Sequence, residues 1–127
     1  MAERLLLDTD VLIEYLRGRS EAVEYLESLS SDLYLSVISV AELFAGVKDD
    51  EEERSLRRFL LAFVILPVTE KVARVGGLYR RDFRTSHGTG LADALIAATA
   101  EENGANLVTF NRRHFPMVPR ITVPYER

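Results

Sequence analysis

The sequence of 127 residues contains no cysteine. Disulfides and thiolate metal sites are thereby excluded, and the absence fits a reducing, cytoplasmic setting. Histidine is scarce: His87 and His114 are the only two, too few imidazoles for a zinc site built on histidine. Lysine is nearly missing as well. Lys48 and Lys71 are the only lysines among sixteen basic residues, and the arginines that replace them suit bidentate contacts with phosphate or carboxylate. No apolar run approaches the roughly 18 to 20 residues that span a bilayer, so no membrane segment is expected. Met1-Ala2-Glu3-Arg4 leads straight into an apolar strand, and no signal peptide is expected. Internal repeats, linkers and low-complexity tracts are absent too. Net charge is −4, a balance that argues against a uniformly basic nucleic-acid surface.

What is present describes one globular domain, expected to cover residues 1–127. Hydrophobic residues make up 47% and charged residues 28%, and this length buries a proper core. Leu5-Leu6-Leu7 reads as a fully buried strand of a parallel sheet. It stops at Asp8, and Asp10 follows two residues later. Val11, Leu12, Tyr15 and Leu16 then take up helical spacing. In open α/β sheets, ligands bind outside the carboxyl ends of the strands, which is where Asp8 falls. The competing reading makes Asp10 or Thr9 a plain helix cap.

The rest of the chain repeats this alternation. Ser20 is a candidate cap for a helix carrying Ala22, Tyr25, Leu26 and Leu29 on one face. Leu33–Ser36 reads as a second strand. A helix near Ser39 follows, with Val40, Leu43, Phe44 and Val47 inward. The acidic run 49–53 opens a further helix, as the helix dipole favours, with Leu56, Phe59, Leu60 and Phe63 as its buried stripe. Val64–Leu66 is a third strand. Thr69 is expected to cap a helix that contains Gly76-Gly77, which either kinks there or packs tightly on a neighbour. Residues 85–90 read as a loop. Leu91, Ala94, Leu95 and Ala98 form a helix face of mostly small residues, and Leu107–Thr109 is a fourth strand. Asn111 to Phe115 is a turn, and Ile121–Val123 is a short edge strand. Strands alternating with helices imply right-handed βαβ units, a short, mostly parallel sheet and helices on both faces.

Two further acids stand where strands hand over to helices. Glu42 lies within Val37-Ile38-Ser39-Val40-Ala41-Glu42-Leu43-Phe44, and Asp93 within Leu91-Ala92-Asp93-Ala94-Leu95. Each has a plainer reading, as an exposed acid or a cap in a first helical turn. Together with Asp8 they share one placement, and in a doubly wound sheet such places converge on one edge. Carboxylates brought together repel, and a divalent cation relieves that repulsion. Oxygen-only donors select Mg²⁺ or Mn²⁺ over zinc, and the chemistry this suggests is hydrolysis of a phosphodiester.

The segments LLLDTDVLIEYL, SVISVAELFAGV, GLADALIAATA and LVTFNRRHF, in that order, resemble a PIN-domain ribonuclease. More narrowly, the chain is similar to the toxins of VapBC-type toxin–antitoxin pairs. The resemblance covers nearly the whole chain. It implies a Mg²⁺- or Mn²⁺-dependent endoribonuclease acting on RNA in the cytoplasm, inhibited by a small VapB-type antitoxin encoded beside it. Matched residue by residue, Asp8, Glu42 and Asp93 fall on the three acids the family places around its metal. The resemblance also implies a homodimer, for which Phe44, Val47, Phe59 and Phe63 are candidate interface residues. The antitoxin is expected to insert an Arg or Lys into the acidic pocket.

The chain departs from the family pattern at two positions. Asp10 stands where Asn is usual. Thr109-Phe110-Asn111 stands where Thr-x-Asp commonly supplies a fourth acid, so a second metal loses a charged ligand unless Asp10 replaces it. Arg80, Arg81 and Arg84, and beyond the last core strand Arg112 and Arg113, are candidate contacts for RNA phosphates; the alternative for each is a solvated charged face. His114-Phe115 reads as packing rather than catalysis. Two other functions fit parts of the pattern. Asp8-Thr9-Asp10 also resembles a haloacid-dehalogenase-type phosphatase, with Asp8 as nucleophile and Asp10 as acid, although the lysines are poorly placed for it. A non-catalytic module that keeps the fold to bind RNA or protein is the other, prompted by Asn111.

Overall fold

The computed structural model describes residues 3–127. Met1 and Ala2, the expected lead into the first strand, lie outside the described residues. Five strands form one sheet: β1 (Arg4–Leu7), β2 (Asp32–Ser36), β3 (Val64–Leu66), β4 (Asn106–Val108) and β5 (Ile121–Thr122). Every pairing is parallel, in the order β3-β2-β1-β4-β5. The chain builds outward from β1 to one edge and then crosses to the other side. The switch point therefore lies between β1 and β4, where an open sheet parts to admit a ligand.

Six helices connect these strands: α1 (Thr9–Leu16), α2 (Ser20–Ser28), α3 (Val37–Ala45), α4 (Asp50–Leu60), α5 (Glu70–His87) and α6 (Leu91–Glu102). Successive side chains of β1 point to opposite faces, as a pleated strand requires. Leu5 and Leu7 join Val11 and Leu12 of α1, Leu26 of α2, Leu43 of α3, and Leu56 and Leu60 of α4 in one core. Leu6 joins Ile96, Ala97 and Ala100 of α6 in a second, with Leu107 and Phe115. Both faces of the sheet are thus covered, and the run of three leucines follows from that. No described helix is long and apolar enough to cross a membrane.

Several boundaries differ from the sequence reading. Ser20 is the first residue of α2 rather than its cap, which is Arg19. The third helix starts at Val37 with Ser36 as its cap; Ile38 N donates to Ser36 Oγ at 3.0 Å. Residues 85–87 belong to α5 and not to a loop; Gly88, with φ of 66°, ends that helix in the left-handed region that glycine tolerates. Within α5, the helix runs unbroken through Gly76 and Gly77. A Cβ at Gly76 would stand 2.7 Å from Leu95 Cδ2 and 3.3 Å from the Ala94 carbonyl oxygen, so the glycine lets α5 lie close against α6. Leu91 is exposed rather than inward, whereas Ala94, Ile96, Ala97, Ala98, Thr99 and Ala100 bury α6 on most of its circumference. Phe44, Val47, Phe59 and Phe63 are half-buried against the first core.

Candidate functional site

Asp8 ends β1 at the switch point. Its backbone N–H continues the ladder to the Val108 carbonyl at 2.9 Å, which carries its side chain into the gap between β1 and β4. There Asp8 is only 4% exposed. Oδ1 accepts from Thr9 N at 2.8 Å, and Oδ2 accepts from the Thr109 hydroxyl at 2.6 Å. Asp8 is therefore the cap of α1 as well as the acid at the strand end. Burial pushes its carboxyl up to about 7. The nearby charge of Asp10 adds to this, the bonds from Thr109 and Thr9 oppose it, and the charge of Asp93 adds again. An acid placed here resists ionisation until something positive arrives.

Asp10 is not a cap. Its Oδ2 accepts from Phe110 N at 3.1 Å and lies 3.4 Å from the Thr109 hydroxyl, so it ties the first turn of α1 to the segment after β4. Its Oδ1 is buried with no hydrogen-bond partner. Burial raises its carboxyl too, against the bonds from Phe110 and Val11 and the charge of Arg127. Asp93 is the third residue of α6, and its Oδ2 accepts from Gly90 N at 3.2 Å, closing the N-terminus of that helix. The same oxygen stands 3.4 Å from His114 Nδ1. His114 thus touches an acid of the site instead of serving only as packing.

Glu42 sits in the second turn of α3, because that helix begins at Val37. The Thr9 hydroxyl donates to Glu42 Oε1 at 2.7 Å, and Ser39 Oγ stands 2.8 Å from the same hydroxyl. Glu42 is thus joined to Asp8 through Thr9, the residue next to it. Asp8, Asp10 and Asp93 share one electrostatic neighbourhood, and Glu42 is reached through one hydroxyl. Among the described residues, however, no three His, Asp or Glu side chains stand together as a ready-made cage for an ion. The donors still fit a hard divalent cation: all are carboxylate oxygens, and Asp8 is driven up by burial and by the like charges of Asp10 and Asp93.

The hydroxyls that hold these acids were not singled out by the sequence. Thr9, Ser39 and Thr109 are all fully or nearly buried. One signal was available, since each is a lone hydroxyl beside or inside a run that is otherwise apolar or acidic. Asn111 is exposed, and its backbone N–H donates to Thr109 Oγ1 at 3.0 Å. The arginines separate into two kinds. Arg80 donates to the Thr89 carbonyl at 3.2 Å and Arg81 pairs with Asp82 at 2.9 Å, while Arg84 is exposed. Arg112 and Arg113 form a short 3-10 turn with His114 and are exposed. Of the lysines a phosphatase would need, Lys71 pairs with Glu102 at 3.2 Å.

The PIN-domain family profile matches residues 5–121. This chain belongs to the PIN-domain family. Ribonuclease VapC10 of Mycobacterium tuberculosis is 43% identical over 124 residues, covering 95% of this chain and 92% of that protein. Among solved structures, a toxin–antitoxin complex from Klebsiella pneumoniae superposes with a TM-score of 0.83 at 31% identity, over 97% of this chain and 99% of that one. FitAcB from Neisseria gonorrhoeae gives 0.77 at 32% identity, over 97% and 99%. The PIN fold read from the four segments is the fold observed, and the switch point of this PIN domain is where Asp8 ends β1.

Proposed function

We propose that this PIN domain is an endoribonuclease that hydrolyses RNA phosphodiester bonds with the help of Mg²⁺ or Mn²⁺, and that it is the toxin of a toxin–antitoxin pair. The observation that carries this reading is Asp8, a buried carboxylate at the switch point with the charges of Asp10 and Asp93 against it. Such a corner is costly to ionise alone and favourable once a cation answers it. Asp8, Asp93 and Glu42 would hold the ion, which when bound lowers the pKa of a water and steadies charge on a phosphoryl group. Thr109 orients Asp8, Thr9 orients Glu42, and the Gly90 N–H fixes Asp93, so each acid is held before substrate arrives.

The relatives support the biological half of the reading. VapC10 is a ribonuclease, and the Klebsiella structure is a toxin–antitoxin complex. We infer a small antitoxin as partner, offering Arg or Lys to the acidic corner, a homodimeric toxin, and action in the cytoplasm, where RNA is met.

The test is cleavage of a panel of RNAs with Mg²⁺, with Mn²⁺ and with a chelator, for the native protein and for Asp8→Asn. Metal-dependent cutting that Asp8→Asn abolishes is expected. Cutting that survives the chelator or the substitution would sink the reading. A phosphoenzyme, with turnover of p-nitrophenyl phosphate, would favour the phosphatase, and RNA binding without cleavage would favour the non-catalytic module.

A further inference from the structure

A second site lies on the far side of the 3-10 turn. A cleft of about 570 Å³ opens between the end of α5, the turn and the β5 edge. Arg112, Arg113, Arg120 and His87 line it together with Phe115, and no Asp or Glu is among its lining residues. Phe115 is buried in the second core, which the cleft borders. Among the described residues, none of the three arginines has a carboxylate within salt-bridge distance, although acids outnumber bases in the chain. Three unneutralised guanidinium groups around one concavity are stable as a group when an anion sits among them, and guanidinium matches phosphate oxygens in pairs.

The turn also fixes where this cleft lies relative to the acids. His114 touches Asp93, at 3.4 Å. Arg112 follows Thr109, the donor to Asp8, by three residues, at most about 10 Å of chain. One short turn thus presents a side chain to the acidic corner and two cations to the cleft. The geometry points to a phosphate-binding subsite: the cleft of Arg112, Arg113, Arg120 and His87 holds a backbone phosphate of the strand being cut, a few nucleotides from the scissile bond. This rests on the ribonuclease reading for the nature of the polymer. The anion preference itself rests on the arginines alone.

The test has two arms. In the first, inorganic phosphate is titrated into the native protein and followed by NMR at the arginine Nε–H and histidine ring signals. Saturable shifts at Arg112, Arg113, Arg120 and His87 are expected, lost in Arg113→Gln/Arg120→Gln; no shifts in the native protein overturns the subsite. In the second, a single-stranded RNA oligonucleotide is bound across a range of salt. Arg113→Gln/Arg120→Gln is expected to bind on the order of tenfold more weakly, with a salt slope shallower by about 0.7 for each phosphate no longer neutralised. Arg57→Gln/Arg58→Gln on α4 carries the same charge change and should bind as the native protein does. Equal losses in both double variants, or in neither, overturn the RNA assignment. Failure of the ribonuclease reading looks different: the native protein cuts no RNA, while the phosphate shifts persist.

Discussion

The two charged regions on either side of the 3-10 turn are built on opposite terms. In the acidic corner, Asp8 is buried and Asp10 partly so; hydroxyls and backbone N–H groups meet both oxygens of Asp8 and Oδ2 of Asp10, and Oδ1 of Asp10 is left unpartnered. In the basic cleft, the arginines are exposed and pair with no acid among the described residues. Burying a charge costs several kcal/mol unless it is answered, whereas an exposed charge costs almost nothing. The corner must therefore be prepared by the fold, and disturbing it moves stability and chemistry together. The cleft needs no preparation, and disturbing it moves only binding and its salt dependence.

The largest effect that follows from this contrast is on cleavage. Asp8→Asn keeps the shape of the side chain and removes the charge at the switch point. RNA cleavage is expected to fall by on the order of 10³-fold or more, as when a central catalytic group is removed, with the far-ultraviolet circular dichroism unchanged. A loss of tenfold or less, measured in single-turnover assays, would make Asp8 a cap that happens to be acidic and would erase the distinction between the two regions.

Thr109→Val tests whether the corner is prepared. The change removes the donor at 2.6 Å from Asp8 Oδ2 and the acceptor for Asn111 N while leaving the volume nearly constant. Supporting bonds of this kind are worth roughly 10- to 100-fold in activity. Cleavage should fall in that range and the apparent Mn²⁺ affinity with it, whereas Thr122→Val on the β5 edge should leave both unchanged. Native affinity for Mn²⁺ in Thr109→Val would show that Asp8 needs no orientation.

These hydroxyls also show how far sequence reading reaches. β1 was legible because it is buried on both faces, so three leucines in succession could be nothing else in a parallel sheet. The strand-end position of Asp8 followed from the same periodicity, whereas the expected strand-to-helix placement of Asp93 did not hold: α6 opens directly after α5, with only residues 88–90 between them. Glu42 was legible as an acid in an apolar helix, but its place in the second turn was not, because Ser36, not Ser39, caps α3. The pairing of Thr109 with Asp8 spans 101 residues, and no local pattern encodes it. The cleft was out of reach for the same reason: Arg112 and Arg113 were legible as candidate phosphate contacts, but only β5 and the end of α5 bring Arg120 and His87 beside them.

A third effect concerns stability and pH. The folded Asp8 carboxyl titrates near 7, against 3.8 in an open chain. Between those values the folded state holds a proton that the unfolded state has released. Asp8 therefore contributes fully below about pH 4, loses that contribution as pH rises through 7, and is flat above. The burial of Asp10 acts in the same direction. Thermal melts in metal-free buffer should show native stability falling from pH 5 to 8, and Asp8→Asn falling less and melting higher at pH 8. The difference is on the order of a few kcal/mol. Saturating Mn²⁺ should reverse the order, since it stabilises only the protein that keeps the charge. If Asp8→Asn melts lower than the native protein at pH 8 without metal, the buried carboxylate is not under the strain described.

The smallest effect separates Asp10 from the acid missing at position 111. Asp8, Glu42 and Asp93 carry three negative charges, which one divalent ion reduces to about one, and a second ion needs a further ligand. Asp10 supplies charge nearby but no accessible oxygen: Oδ2 is taken by Phe110 N, and Oδ1 is shut away from solvent. Asn111 is exposed, with its backbone N–H already on Thr109, so its side chain is free to turn to an ion but brings no charge. Calorimetric titration of RNA-free protein with Mn²⁺ should then give a stoichiometry near one, rising towards two in Asn111→Asp. Asp10→Asn should leave the native stoichiometry unchanged and weaken affinity only modestly, by roughly the loss of one partly screened charge. Two tight sites in the native protein, reduced to one in Asp10→Asn, would reverse the assignment. They would mean that the α1 turn opens on binding, so that the acid two residues after Asp8 takes the place of the one absent after β4.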